Sequence, residues 1–190
     1  MQQADVLAFP RRGYALPRQA QYLEDTSVRR LVLEHYDQEH VAIRRYLSFL
    51  GVNAETGEEI LQETFLKLHQ HLLAGGDRSN LRAWLYRVAH NLARNEQIAF
   101  RTSRTGSLPD GAVSGDVPAN AASVEEELLT AERTRLVREA MNQLSIAQKE
   151  SLVLRAQGLK YREIAEILNL SVSTVAENIQ RGLERLRDLV

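Results

Sequence analysis

The segment from Gly158 to Arg187, GLKYREIAEILNLSVSTVAENIQRGLERLR, constrains the fold more than any other part of the chain. It reads as two helices joined by a tight turn, the second long and rich in arginine. Ile164, Ala165, Ile167 and Leu168 fall at the i, i+3, i+4 spacing of one helical face. Asn169 stands where the chain must reverse, and asparagine tolerates left-handed backbone angles better than most residues with a Cβ. Ser171 is placed to cap the next helix, because its hydroxyl can accept from a backbone N–H left unpaired in the first turn. Val172, Val175, Ile179, Leu183 and Leu186 are expected to form that helix's buried stripe, and the small Ala165 lets the two helices cross closely. The pattern is a helix-turn-helix.

If this element reads DNA, its polar residues divide by position. Ser171, Ser173, Thr174, Glu177, Asn178 and Gln180 are early or outward-facing, available to base edges or backbone. Asparagine and glutamine can pair with adenine, and glutamate can accept from cytosine. Arg181, Arg185 and Arg187 come late on the helix, where phosphate contact is natural. The competing reading is a helix-turn-helix that only packs.

The 190 residues fit one ordinary domain or two small ones. Few aromatics and prolines, with abundant Leu, Ala, Glu and Arg, favour an all-α fold. A net charge of −1 does not mark a nucleic-acid binder, so any positive footprint has to be local. The absence of cysteine rules out disulfides and thiolate metal sites and agrees with a reducing cytoplasm. Pro10, Arg11 and Arg12 are not followed by the apolar core of a signal peptide, and no run approaches the roughly 18 to 20 apolar residues of a membrane span. A soluble cytoplasmic protein without membrane insertion is expected.

Residues 1–26, with Pro10, Gly13 and Pro17, lack periodicity and are expected to be a loosely ordered extension. Helical spacing covers 27–101. One helix runs from Ser27 to Leu50 through Val28, Leu31, Val32, Val41, Ile43, Tyr46 and Leu47, with a break expected near Asp37 to Glu39. A second runs from Thr56 or Gly57 to Leu73, with Ile60, Leu61, Phe65, Leu68 and Leu72 on one face. A third runs from Asn80 to Arg101. Residues 102–123 gather Gly106, Pro109, Gly111, Gly115 and Pro118 among small and polar residues, which is the composition of a flexible linker. Residues 124–190 hold two further helices, Val124 to Asn142 and Ile146 to Ala156, before the helix-turn-helix. The expected architecture is two small helical domains joined by a linker.

Two segments of the first domain are distinctive. In Glu58-Glu59-Ile60-Leu61-Gln62-Glu63-Thr64-Phe65 the apolar residues point one way, while Glu59, Gln62 and Glu63 share the outer face. Acids near a helix N-terminus can simply complement the macrodipole, or they can form a docking face for a basic partner. The local sequence does not decide. In the helix from Leu81 to Asn95, Arg87, His90, Asn91, Arg94 and Asn95 recur at spacings of three and four. From Arg87 to Arg104 there are four arginines against one acid, Glu96, a local footprint suited to phosphate contacts. Trp84 and Tyr86 flank this surface, where exposed aromatics can stack on unpaired bases; for Trp84 burial in the core is the favoured reading.

Signs of catalysis are absent from the sequence. The five histidines, at 35, 40, 69, 71 and 90, are scattered. No HExxH, P-loop, glycine-rich dinucleotide turn or nucleophile elbow is present. No catalytic residue, metal site or cofactor is expected.

Taken together, the chain resembles the extracytoplasmic-function (ECF) sigma factors, small two-domain specificity subunits of bacterial RNA polymerase. Three segments carry the resemblance: EEILQETFLKL (58–68), LRAWLYRVAHNLARNEQ (81–97) and LSIAQKESLVLRAQGLKYREIAEILNLSVSTVAENIQRGLERLR (144–187). The resemblance implies that Glu59, Gln62 and Glu63 dock on the β′ clamp helices of core polymerase, which also contributes its β subunit. It implies a minus-ten promoter surface built from Trp84, Tyr86, Arg87, His90, Asn91, Arg94 and Asn95, with Asn91 lining a pocket for a flipped base. The helix-turn-helix then meets the minus-thirty-five element. An anti-sigma protein is the further partner such a family implies. Within this pattern, Ala176-Glu177 replaces the basic or polar pair common after Thr-Val, and Asn169 replaces a common glycine. Two other readings stay open at this level, a regulator that binds duplex DNA alone and a sigma-like decoy.

Overall fold

A computed structural model describes the backbone over residues 18–103, 135 and 139–189, and side chains over 25–100, 135 and 139–187. The expected linker from 104 onward, the extension before residue 18 and most of the helix expected over 124–142 lie outside the described residues.

The first unit is three helices, α1 (Arg18–Phe49), α2 (Ala54–Leu73) and α3 (Leu81–Ser103). Their cores follow the sequence periodicity: Val28, Ile43, Tyr46 and Leu47 from α1 meet Leu61, Leu68 and Leu72 from α2 and Leu85, Tyr86 and Ala89 from α3. Burying such side chains contributes roughly 1.5–3 kcal/mol each, and the buried set extends along all three helices. α1 departs from expectation in two ways. It begins at Arg18, inside the segment expected to be loose, where Arg18 to Leu23 are good helix formers. It also runs unbroken through Asp37 to Glu39, because no glycine or proline interrupts it and Glu39 is held inward beside Arg82 of α3. That pair meets as ions at 2.9 Å without hydrogen-bond alignment. Val41, expected on the apolar face, is exposed.

α2 starts two residues earlier than the apolar pattern suggests, since Asn53 supplies the cap: its Oδ1 accepts from the Thr56 N–H at 2.9 Å. Asn80 does the same for α3, accepting from the Ala83 N–H at 3.3 Å. The turn between them is fixed by Asp77, whose carboxylate accepts from the Ser79 N–H at 2.9 Å and its hydroxyl at 2.7 Å. These bonds from Ser79 hold the Asp77 carboxyl below its ordinary pKa.

The second unit comprises α4 (Ile146–Ala156), α5 (Tyr161–Leu168) and α6 (Val172–Leu189). Ser145 and Gln148 form a reciprocal capping box at the start of α4. Asn169 adopts φ 54°, the left-handed turn expected of it, and the Ser171 hydroxyl accepts from the Thr174 N–H at 3.0 Å. α6 corrects the expected stripe. Val175 and Ile179 are buried, but Val172 and Leu183 are about half exposed, Val172 in the uncovered first turn and Leu183 on the rim of an open apolar groove with Met141, Leu152 and Ile179. Gly182 lets α6 approach α4, because a Cβ there would lie 2.6 Å from Leu152 Cδ1.

The two units pack against each other along α3, which is covered on one side by α1 and α2 and on another by α5, with Glu150 of α4 reaching Arg94. Their buried apolar residues form one continuous cluster.

Candidate nucleic-acid interface

Helical spacing makes α3 a column of polar groups, and the structure divides that column. Asn91 and Asn95 are exposed. Arg87 and Arg94 are half-buried, each beside a carboxylate of the second unit: Arg94 Nη2 donates to Glu150 Oε1 at 2.7 Å, and Arg87 lies 3.8 Å from Glu166. Arg101 and Arg104 have side chains outside the described residues.

Tyr86 and His90 do not belong to the exposed face. Tyr86 is fully buried, and its hydroxyl donates to Gln157 Oε1 at 3.3 Å. Burial, with Glu39 nearby, pushes the phenol up to about 12. His90 is 5% exposed and its Nδ1 takes the Tyr46 hydroxyl at 2.8 Å. Burial, reinforced by the Arg94 charge, lowers its pKa to about 4, so the ring is neutral. Spacings of three and four put His90 near Arg87 and Arg94 along the helix, yet it points to the side that α1 covers. Neither side chain is placed to touch DNA in this arrangement.

Trp84 is half-buried, packed against the core rather than enclosed in it as expected. Its indole stacks on the His71 ring, with centroids 4.9 Å apart, and His71 Nε2 donates to the Asp77 carbonyl at 3.0 Å. Gly76 is packed against the same imidazole, so a side chain there would strike the ring. The turn and the tryptophan are thus one rigid piece. A polar cleft opens beside it, lined by His71, Asp77, Trp84, Arg87, Glu163 and Glu166.

On α2, Glu59 and Gln62 are exposed and Glu63 half-exposed, with Glu63 beside Lys67 at 3.0 Å. Leu66 is 50% exposed on the same face, a residue missed by the sequence reading although it lies seven positions after Glu59. An exposed leucine ringed by acids and an amide is a surface suited to another protein, since the leucine gains by losing water.

On α6, Ser173, Thr174, Glu177, Gln180, Arg181 and Arg185 are exposed. The Ser171 hydroxyl is taken up by its cap and lies 2.8 Å and 2.7 Å from the Ser173 and Thr174 hydroxyls. Glu177 lies 3.3 Å from Arg181 one turn on, so the acid that stands out in the sequence is locally neutralised. Arg185 donates to the Gln143 carbonyl at 3.1 Å. Asn178 is half-buried, and its Nδ2 is enclosed without a hydrogen-bond partner among the described residues, which turns it away from a base-reading position.

Among the described residues no cluster of histidines and acids is arranged to hold a metal ion, and no helix is long and apolar enough to cross a membrane.

Comparison with known proteins follows this geometry. Residues 35–104 match the family model Sigma-70 region 2, and residues 134–186 match Sigma-70, region 4. The RNA polymerase sigma factor SigZ of Bacillus subtilis is 32% identical, over 82% of this chain and 84% of that protein. The ECF RNA polymerase sigma-E factor of Haemophilus influenzae is 31% identical, over 70% of this chain and 73% of its own length. Among solved structures, CnrH in complex with the cytosolic domain of CnrY aligns at a TM-score of 0.56 and 21% identity, covering 90% of this chain and 95% of that one. The sigma factor RpoE bound to the anti-sigma factor NepR from Bartonella quintana aligns at 0.57 and 20%, covering 82% and 96%. At these identities the structural matches speak to the fold.

Proposed function

We propose, from the premise that this chain belongs to the ECF class of the sigma-70 family, that its two helical units grip one promoter at two points while the first also holds polymerase. The protein is an alternative sigma factor and works by binding, without chemistry of its own. In this reading it acts in the cytoplasm.

Glu59, Gln62, Glu63 and Leu66 form the face for the β′ clamp helices of core polymerase. Carboxylates around an apolar anchor suit a basic helical partner: the leucine supplies area and the acids supply register and association rate. Asn91, Asn95, Arg87, Arg94 and Trp84 form the minus-ten surface, where arginines meet phosphates and the exposed amides meet bases. Binding a flipped base favours the melted strand, because unstacking costs a few kcal/mol that the pocket must offset. On α6, Ser173, Thr174, Glu177 and Gln180 read the minus-thirty-five element and Arg181 and Arg185 position it. The first unit serves as the minus-ten domain and the second as the minus-thirty-five domain, joined by the expected linker. An anti-sigma protein is the regulator this class of factor implies.

The observation that carries the polymerase half is the α2 face, where Leu66 stays half exposed beside Glu59, Gln62 and Glu63 although the opposite face of the helix is fully packed. The test is capture of purified core polymerase by wild type, Glu63→Lys and Leu66→Glu. Glu63 is half-exposed and its pair with Lys67 is of a kind worth about 0–1 kcal/mol, so the fold survives the reversal. Both variants are expected to lose core binding by tenfold or more, on the order of a hot-spot residue. Unchanged capture by both rejects this docking face.

A further inference from the structure

The imidazole of His71 is held from three directions in the turn that leads into α3. One face stacks on the Trp84 indole, with centroids 4.9 Å apart and planes 27° from parallel. Nε2 donates to the Asp77 carbonyl at 3.0 Å, and the backbone of Gly76 lies against the ring. The chain arrives there by turning back over the end of α2. Gly75 takes φ 75°, and the Gly76 N–H returns to the His71 carbonyl at 2.8 Å.

The two glycines answer different demands. Gly75 sits in the left-handed region that favours glycine. Gly76 is not among the residues with positive φ, so its backbone makes no such demand. What excludes a side chain at position 76 is the imidazole itself, which any Cβ would strike. The ring cannot yield without leaving the indole or the carbonyl. Position 76 is fitted to His71.

From Asp77 the constraint runs on toward α3. The Asp77 carboxylate accepts from the Ser79 N–H and hydroxyl, and Asn80 Oδ1 caps the helix at the Ala83 N–H. Asp77 and Asn80 border the cleft together with Trp84 and Arg87. A turn that samples many arrangements must lose that freedom on binding, whichever base it meets. A turn already fixed keeps its donors and acceptors in register and rejects the base that does not match them. We propose that His71 is a positioning residue for minus-ten recognition, locking residues 74–80 to Trp84 so that turn and helix present one preformed edge to the single strand. This inference rests on the minus-ten reading of α3, and it adds a residue that touches no base yet sets how sharply bases are told apart.

A positioning role and a purely structural one differ in what they move. Phosphate contacts from Arg87 and Arg94 carry no sequence information, so loss of the His71 ring leaves them in place and blunts only the choice among bases. Damage to the fold weakens binding to every sequence alike. His71 and Gly76 are both half-buried and lie outside the apolar core, so the chain folds without the ring.

Full-length wild type, His71→Ala, Gly76→Ala and the double variant are each assembled with purified core polymerase. A single-stranded DNA 15-mer is selected from a random pool on the wild-type assembly, with core polymerase alone as counter-selection. The ratio of its affinity to that of a scrambled 15-mer measures discrimination. His71→Ala and Gly76→Ala are each expected to lower the ratio about tenfold, the scale of one base contact, with the scrambled 15-mer bound almost as before. The double variant is expected to fall no lower than His71→Ala, because the added Cβ acts only through the ring. His71→Gln, the milder variant, keeps a donor for the Asp77 carbonyl and should retain more of the ratio than His71→Ala. In the free chain Trp84 is the sole tryptophan, so its emission reads the stack directly. Both single variants should shift that emission to longer wavelength and make it easier to quench with acrylamide. An unchanged ratio in His71→Ala, or an equal loss for both 15-mers, overturns the positioning role. So does a double variant well below His71→Ala. A wild-type assembly that selects no 15-mer overturns it too, and capture of core polymerase then shows separately whether the docking half of the proposed function stands.

Discussion

Arg94 and Glu150 lie 56 residues apart in the chain and meet at 2.7 Å, the shortest of the ion pairs that cross between the two units. Around them, Tyr46 bonds His90 one turn before Arg94, and burial, with the Glu150 charge nearby, keeps the Tyr46 phenol well above its ordinary pKa. Helix α1, helix α3 and the second unit therefore share one polar cluster. Removing Arg94 leaves the Glu150 carboxylate, whose side chain is 7% exposed, without its partner. Arg94→Ala is thus expected to destabilise the chain by about 1–3 kcal/mol, less than for a fully buried pair because the Arg94 side chain is 40% exposed. Thermal unfolding of the variant against wild type measures it.

His90 makes stability depend on pH with a definite sign. Its folded pKa of about 4 lies below the ordinary 6.5, so the unfolded chain binds the proton more readily. The stabilisation is fully present above pH 6.5 and is lost as pH falls from 6.5 toward 4, by up to about 3 kcal/mol. Glu150 acts oppositely, because burial raises its pKa and protonation then favours the folded form. The His90 shift is the larger, so the net expectation is loss on acidification. Urea midpoints across this range should fall for wild type and vary less for His90→Gln.

Gly182 sits where α6 crosses α4. The Cβ of Gly182→Ala would press on Leu152 Cδ1, the far end of a flexible side chain beside an open groove. Leu152 can rotate into that groove, so the expected cost is near the low end of overpacking, about 1 kcal/mol. Gly182→Leu leaves no such exit and should cost more. Chemical denaturation of the two variants measures the difference.

Arg181 is paired with Glu177 on the exposed face of α6. Glu177→Gln releases the guanidinium for phosphate, and non-specific duplex affinity should rise, with a salt slope steeper by about one counterion. Arg181→Ala should do the reverse. If Glu177 reads a cytosine, the specific site loses affinity while non-specific DNA gains it. Titrations at several salt concentrations separate these terms.

The helix-turn-helix was legible because its information is local: the spacing of Ile164, Ala165 and Ile167, the left-handed Asn169 and the cap at Ser171 all lie within a few residues. The buried faces of α2 and the start of α4 were legible for the same reason. Three features were not. Helix α1 continues through Asp37 to Glu39 because Arg82, far along the chain, takes Glu39 inward. Tyr86 and His90 are buried because α3 is covered on more than one side, whereas periodicity assigns a residue to a face without saying which faces are covered. The bonds that Glu150 and Glu163 accept from α3 and its cap were invisible because their partners lie 56 and 83 residues away.

The most direct test of the central claim is promoter-specific run-off transcription with purified core polymerase and fragments of the source genome. Wild type is expected to yield discrete transcripts that core alone does not make, with Glu63→Lys giving few or none. A wild-type chain that yields no discrete transcript from any fragment, while binding core polymerase normally, would contradict it.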